Sequence, residues 1–324
     1  TLEGLDTEVT ASVYAGEAQA DTWHQEVSMD LPSNTKSNTL SMAVDPTMPR
    51  EWDRGTPRAI HYVQKGSHEI VNVTWEKTMG IHRHDLEDDI HSGTVVRQLI
   101  QDGFAAGGKF ALHKDVLAAA VLVQNPTCVD GVALFSQSHK INPFNADSET
   151  YPNEYGSMPL STENLAKAQG LIGKVKGPDG NPMHLRMRKL MVPSMLEARA
   201  EHLTSAAQIN GTDNPMARKG IMVVTAPELM NQTGYTDGDE VWYAICSVGG
   251  AMAKAPIIYQ KRQALKVITR FRPDDPNVFS LNEYLWGAEE RGARFVAAVV
   301  VDDRHQPAVK NLFLIREEVD ALTF

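Results

Sequence analysis

Between positions 81 and 91 the chain reads Ile-His-Arg-His-Asp-Leu-Glu-Asp-Asp-Ile-His, placing three imidazoles and four carboxylates within eleven residues. Such groups are ordinary nitrogen and oxygen ligands for zinc, manganese or iron. On a strand, His82 and His84 would share a face, the arrangement a paired-histidine site needs. The same acids have a purely electrostatic use. If a helix begins at Asp85, that residue caps it, and Glu87, Asp88 and Asp89 lie in its first turn against the positive helix end. Arg83 stands beside them. No third histidine follows at a defined ligand spacing. Capping and an intersubunit charge patch are therefore the expected role, and a metal-dependent enzyme using His82, His84 and Asp85 is the alternative.

Other reactive groups fall short of a reaction signature. Asp130, Ser138 and His139 contain the atoms of a hydrolytic triad, but the serine is not in a Gly-x-Ser-x-Gly elbow. Adjacent serine and histidine side chains do not normally point at one another. Gly103, Gly107, Gly108 and Lys109 echo a phosphate loop without the full Walker pattern, and a kinked helix accounts for them better. Cys128 and Cys246 lie far apart, in no metal-ligand spacing, and read as two reduced, buried thiols. Neither a catalytic residue, a cofactor nor a resident metal is expected.

The elements that must position these residues follow from pattern. Residues 1–47 are small and polar, with a loop signal at 32–39 and prolines at 46 and 49. They read as an extended N-terminal arm that orders only against a neighbour. Two strand-like arms, 58–63 and 68–75, flank Gln64-Lys65-Gly66-Ser67 as a hairpin turn. On the second arm Val71, Val73 and Trp75 alternate with Asn72, Thr74 and Glu76, the period of a strand with one face covered. His61, Lys65, His68 and Glu69 interrupt the apolar residues, which suits a ribbon covered by a neighbouring subunit.

Val95, Val96, Leu99, Ile100 and Phe104 then recur at helical spacing, and Leu112, Val116, Leu117, Ala120 and Val121 resume it after Gly107-Gly108. This predicts one long spine helix or two stacked pieces, ending by Asn125-Pro126. Further helices are expected over 162–176 and 194–209. Strands are expected over 189–192, 220–225, 240–247, 256–260, 265–270 and 294–301.

With 324 residues and 42% hydrophobic content the chain can bury a substantial core as two domains or one large one with extensions. Its longest apolar runs are too short to span a bilayer, so no membrane partner is expected. The net charge of −10, with no basic stripe, argues against tight nucleic-acid binding. The same charge fits many acidic enzymes.

The order of parts resembles the major head subunits of Mu-like phages and prophages. The resemblance rests on Arg50-Glu51-Trp52, Ile70-Val71-Asn72-Val73-Thr74-Trp75-Glu76-Lys77-Thr78, the acidic run at 85–89 and Val129-Asp130-Gly131-Val132-Ala133-Leu134-Phe135-Ser136-Gln137-Ser138-His139. Leu190-Met191-Val192-Pro193-Ser194-Met195-Leu196 and Asn282-Glu283-Tyr284-Leu285-Trp286-Gly287-Ala288 continue it. Each motif alone is weak, and it is their collinearity across most of the chain that carries the resemblance.

It implies an α+β Hong Kong 97-type capsid fold. Residues 1–47 would be the N-terminal arm, 48–76 the extended loop, 77–159 with 257–310 the peripheral domain, 160–256 the axial domain and 311–324 a C-terminal tail. The implied function is self-assembly into pentamers and hexamers of an icosahedral virion shell, made in the bacterial host cytoplasm. Partners would be further copies of the chain, a scaffolding protein, a portal, decoration proteins and, only through weak non-specific contact, packaged double-stranded DNA, since a sticky inner wall would stall DNA entry. A minor or decoration head protein is the nearer alternative. Start at Thr1 would reflect loss of an initiator Met or of a longer leader. Intersubunit contacts are expected at Arg50, Glu51, Trp52, Arg54, Arg58, Tyr62, Lys65, His68, Trp75, Asp85, Glu87 and Asp88. Some shells of this type also join a loop lysine covalently to an Asn of another subunit, which makes Lys65 the candidate here.

Overall fold

The computed structural model describes residues 1–44, 64–89, 92–128, 130–142, 145–156, 158–177, 179–209, 211–231, 241–248, 257–293, 296–297 and 312–316. Arg50, Glu51, Trp52, Arg54, Arg58, Tyr62 and His91 lie outside the described residues.

The first element corrects the expectation of an extended arm. Leu2–Gln19 forms an 18-residue helix, α1, whose N-terminus is capped by the Thr1 hydroxyl accepting from the Gly4 N–H at 3.3 Å. Leu5, Val9, Val13 and Gly16 are its buried residues, a narrow stripe spaced four, four and three apart. So thin a stripe reads as polar composition. A short helix, α2 (His24–Val27), leads into β1 (Ser28–Pro32), which pairs in parallel with a long central strand further on. The N-terminal segment is thus part of the body.

β2 (Ser37–Val44) and β3 (Gln64–Val71) form an antiparallel ribbon running from Ser37 opposite Val71 to Val44 opposite Gln64. This corrects the expected hairpin. The strand paired with 64–71 is 37–44, and Gln64–Ser67 are strand residues, with Lys65 opposite Ala43 and His68 opposite Leu40, while the expected arm 58–63 lies outside the described residues. β4 (Val73–His82) follows at once and ends in a six-residue helix, α3 (Arg83–Asp88).

The spine is one continuous helix, α4 (Thr94–Gln124), of 31 residues. It is about 46 Å long at ~1.5 Å per residue. Gly107-Gly108 does not break it, because these glycines serve an approach of α1. A Cβ on Gly107 would lie 1.8 Å from the Val13 carbonyl oxygen, and one on Gly16 1.9 Å from that of Phe104. The helix ends at Asn125, in the left-handed region (φ 48°), ahead of Pro126.

Two small ladder strands, β5 (His139–Lys140) and β6 (Thr150–Tyr151), pair with each other, and β7 (Glu154–Tyr155) follows. Next come α5 (Thr162–Ile172), β8 (Leu185–Val192) and α6 (Glu197–Ser205). A second small ladder joins β9 (Gln208–Ile209) to β10 (Thr212–Asp213), followed by β11 (Met222–Thr225) and β12 (Val241–Val248). The chain then forms β13 (Ile257–Arg270), a short helix α7 (Pro276–Leu281) and β14 (Glu283–Gly292). β15 (Val296–Ala297) and β16 (Leu312–Arg316) complete the described elements.

These strands build two main sheets. The first has the order β1-β13-β14-β4, with β15 also on β13. It carries α1 and α4, whose apolar residues meet Leu265, Trp286 and Ala288. The Trp286 Nε1–H donates to Asp6 on α1 at 3.1 Å. The second sheet, β11-β8-β12-β16-β7, has its own core with α5 and α6, including Leu165, Leu190, Leu203, Trp242 and Phe313. Of the expected C-terminal tail, 312–316 form a strand of this sheet: β16 lies between β12 and β7, with Phe313 fully buried, and 317–324 lie outside the described residues. A third cluster joins the two, in which Ala118 and Leu122 of α4 share a core with Met191, Tyr243, Tyr259 and Leu314.

The α1–α4 crossing makes a prediction in two parts. Gly107→Ala should destabilise the fold by about 1–3 kcal/mol, the usual cost of overpacking. Gly108→Ala, whose new methyl would meet only the Gly16 carbonyl at 3.7 Å, should be neutral or stabilising by up to ~1 kcal/mol. Thermal denaturation of the two variants decides, and equal effects would mean that the helices do not touch at Gly107.

Candidate assembly surface

The acidic run does not become a ligand set. His82 ends β4 while His84 lies in α3, and their rings meet edge-on with centroids 5.0 Å apart. His82 Nδ1 accepts from the His84 amide at 3.4 Å. Asp85, Glu87 and Asp88 are exposed, and Glu87 pairs with Arg83 at 2.7 Å. Among the described residues, no three His, Cys, Asp or Glu side chains converge as a metal site.

The capping carboxylate is Asp89, not Asp85. It accepts from the backbone N–H groups of Thr94 (2.9 Å), Val95 (2.8 Å) and Val96 (3.1 Å) at the start of α4. The Ser92 hydroxyl, first of all, and these amides hold its carboxyl below the usual aspartate range, against the opposing effect of desolvation.

His139 is structural as well. Its Nδ1 lies 2.8 Å from Asp130 and its Nε2 3.1 Å from the Leu134 carbonyl oxygen. Both ring nitrogens are engaged away from Ser138, whose amide bonds the Ser136 hydroxyl. Fully buried Asn153 fixes the same loop by donating to Leu134 and accepting from the Ser136 amide. Burial, with a smaller contribution from Asp130, pushes the Cys128 thiol up to about 12, and burial raises Cys246 as well. Neither sulfur is a nucleophile at neutral pH.

Two adjacent residues in the middle of α4, missed by pattern reading, bind the molecule together. Asp115, wholly buried, accepts from the His24 amide at 2.9 Å, the Trp23 amide at 3.4 Å and His24 Nδ1 at 2.6 Å. Lys114 reaches Glu290 of β14 at 3.0 Å and Glu17 of α1 at 3.5 Å. Tyr259 donates to the same Glu290 at 3.2 Å. A lone charge in a helical pattern does not reveal its partners, because these come from positions up to 176 residues away in a chain whose register is set elsewhere.

Among the described residues, several large apolar side chains are left uncovered. Phe104, Leu112 and Val116 on α4 are 41–42% exposed, although the opposite side of the helix is core. Val71 and Val73 are open where the ribbon meets the first sheet, and Phe279 and Leu281 project from α7 at the sheet's far end. Trp75 corrects the expectation of a ribbon residue left for a neighbour. It packs in its own subunit against the cluster of Val13, Phe110, Leu265 and Ala288, with its ring edge-on to His113 at 4.6 Å.

A long helix braced by a second helix on one sheet, with a two-stranded ribbon and a second sheet that has its own core, is an arrangement shared with solved phage capsids. The chain is similar to the procapsid of bacteriophage JBD30, at 19% identity and a TM-score of 0.51 over 99% of this chain and 76% of that one. It is also similar to the capsid of cyanophage P-SCSP1u, at 11% identity and a TM-score of 0.59 over 92% and 88%. The fold is therefore the Hong Kong 97-type fold of phage capsids. Among curated proteins, the major capsid protein of Escherichia phage Mu is 23% identical over 297 residues, 90% of this chain and 69% of that protein. The profile of the family described as Mu-like prophage major head subunit gpT matches residues 2–158, 153–229 and 225–296. The chain belongs to that family of head subunits.

The cap at α4 has a signed pH dependence. A carboxyl whose folded value is depressed contributes stability above its ordinary value, near ~4, and loses it as pH falls through the folded value. The gap in melting temperature between the wild type and Asp89→Ala should be widest above about pH 5 and shrink in stronger acid. A gap that stays constant through that window would show that the charge plays no part.

Proposed function

We propose that this head subunit self-assembles into hexamers and pentamers of an icosahedral shell enclosing double-stranded DNA. The observation that carries the reading is the bare apolar face of α4, where Leu112 and Val116 stand one turn apart and Phe104 about two turns earlier. Scattered apolar residues need no partner, but a row along a rigid helix marks a surface to be covered. A neighbour's β2–β3 ribbon has the length and backbone pairing to lie across such a face.

On this reading Arg50, Glu51, Trp52, Arg54, Arg58 and Tyr62, in the connection between β2 and β3, make contacts between subunits. Lys65 and His68 on β3 join them, and Asp85, Glu87 and Asp88 supply an exposed acidic patch. Trp75 contributes only what its own core leaves open. Individual contacts can be modest, because closure of a shell multiplies them. A scaffolding protein, a portal and decoration proteins complete the proposed partners. Assembly in the host cytoplasm and the division into arm, loop, peripheral and axial regions belong to the same proposal, with 312–316 transferred to the axial sheet. No chemistry is assigned to the chain.

Deleting residues 43–65 and joining Met42 to Gly66, which face each other in the ribbon, tests this. The variant should stay folded and soluble and form no shells by sedimentation and electron microscopy, where the wild type forms shells, tubes or rings. Global unfolding of the variant would place the ribbon in the core and overturn its assembly role.

A further inference from the structure

Four cations from two separate stretches of sequence meet at one edge of the second sheet. β11 runs parallel to β8 with Met222 opposite Lys189. The turn of 3-10 helix just before β11, Ala217–Lys219, is therefore delivered beside the half of β8 that precedes Lys189. There Arg186 and Arg188 face outward while Leu185 and Met187 are buried. Arg186, Arg188, Arg218 and Lys219 line a groove of about 440 Å³ that no described carboxylate lines. Gln169 on α5 forms its wall and bonds Lys219. Arg218 reaches Asp213 only at 3.6 Å, and both are largely in water.

In a chain of net charge −10 such a gathering runs against composition. Cations within a Debye length of about 10 Å repel one another, so holding four at one sheet edge has an electrostatic cost. We propose that this groove binds the backbone phosphates of duplex nucleic acid, an inference that rests on the reading of the chain as the wall of a DNA-filled head. Guanidinium forks match phosphate oxygens with two parallel hydrogen bonds. Arg186 and Arg188 are two residues apart on a strand, so their backbones stand about 7 Å apart along the groove. An acidic protein segment fits less well. It would need an apolar anchor, and the apolar wall residues Leu185 and Met187 are only 5% and 4% exposed. The acidity of the rest of the chain keeps the contact weak, so DNA can be held at the wall and still move.

The test uses the purified full chain, a fluorescein-labelled random-sequence duplex of about 20 base pairs and fluorescence anisotropy from about 50 to about 200 mM salt. The wild type should bind with a log–log salt slope of about −3 to −4, the value for four phosphate contacts. Arg186→Glu combined with Arg218→Glu should weaken binding at least about tenfold and flatten the slope by about two. The milder Arg186→Gln with Arg218→Gln should fall between, and Lys36→Glu with Lys176→Glu, exposed cations elsewhere, should bind as the wild type does. Circular dichroism confirms that each variant is folded.

Absence of wild-type binding at the lowest salt, unchanged binding by the double reversal, or an equal loss in the Lys36/Lys176 control would each overturn the proposal. So would polyglutamate of equal charge competing as well as unlabelled duplex, which would make an acidic protein segment the occupant. Sedimentation of the same variants separates this groove from the head-subunit reading. Shells built by a reversal variant that still binds DNA normally would sink the groove alone.

Discussion

The fold depends on two backbones being allowed to touch. α1 crosses α4 where Gly16 faces Phe104 and Gly107 faces Val13, at separations that leave no room for a methyl group. This contact sets how deep α1 sits. The depth in turn lets Asp6 reach Trp286 and lets Val13 join Phe110, Leu265 and Ala288 in one cluster. With α1 on one side, the first sheet on another and the second sheet's core under its C-terminal half, α4 has one side left open. That remaining side carries Leu112 and Val116.

Within this frame the buried charges act as locators. Lys114 and Asp115 are neighbours in sequence, yet they reach different elements: β14 and α1 for the lysine, the start of α2 for the aspartate. Buried ion pairs seldom add much net stability, since desolvation offsets attraction. Their value here is positional. A helix of 31 residues packed by small apolar side chains could slide or rotate with little loss of buried area, whereas an unpaired Asp115 or Glu290 would be costly. The network fixes one register of the spine on the sheet.

The groups that looked reactive are consumed by the same architectural work. His139 with Asp130 secures the loop after α4, His82 closes the end of β4, and the cysteines are core residues. The working parts proposed for this head subunit are surfaces spread over a ribbon, a helix face and a sheet edge, each read against another copy or against the contents of a shell. Among the described residues no compact catalytic constellation is found, and collinear resemblance across the chain said more than any motif did.

The sequence by itself determined the elements whose signal is local. The α4 periodicity and its stop at Asn125-Pro126, the strands near 190, 222, 243 and 260, and the α+β class could all be read from spacing and breakers. The order of motifs also pointed to the family. Only the tertiary structure decided the pairings. Pattern shows that 68–75 is extended, but it takes 64–67 for a turn and does not show that 37–44 is the partner of 64–71, because any β-compatible segment satisfies the same backbone hydrogen bonds. Pattern likewise takes Leu5, Val9 and Val13 for a polar arm, because the stripe is completed by a glycine whose contribution is proximity. The basic groove was hidden for the same reason: Arg186 and Arg188 meet Arg218 and Lys219 only through the parallel pairing of β11 with β8. Local spacing reports what a segment can become, while long-range pairing chooses its neighbours, and the surfaces of this protein are made by neighbours.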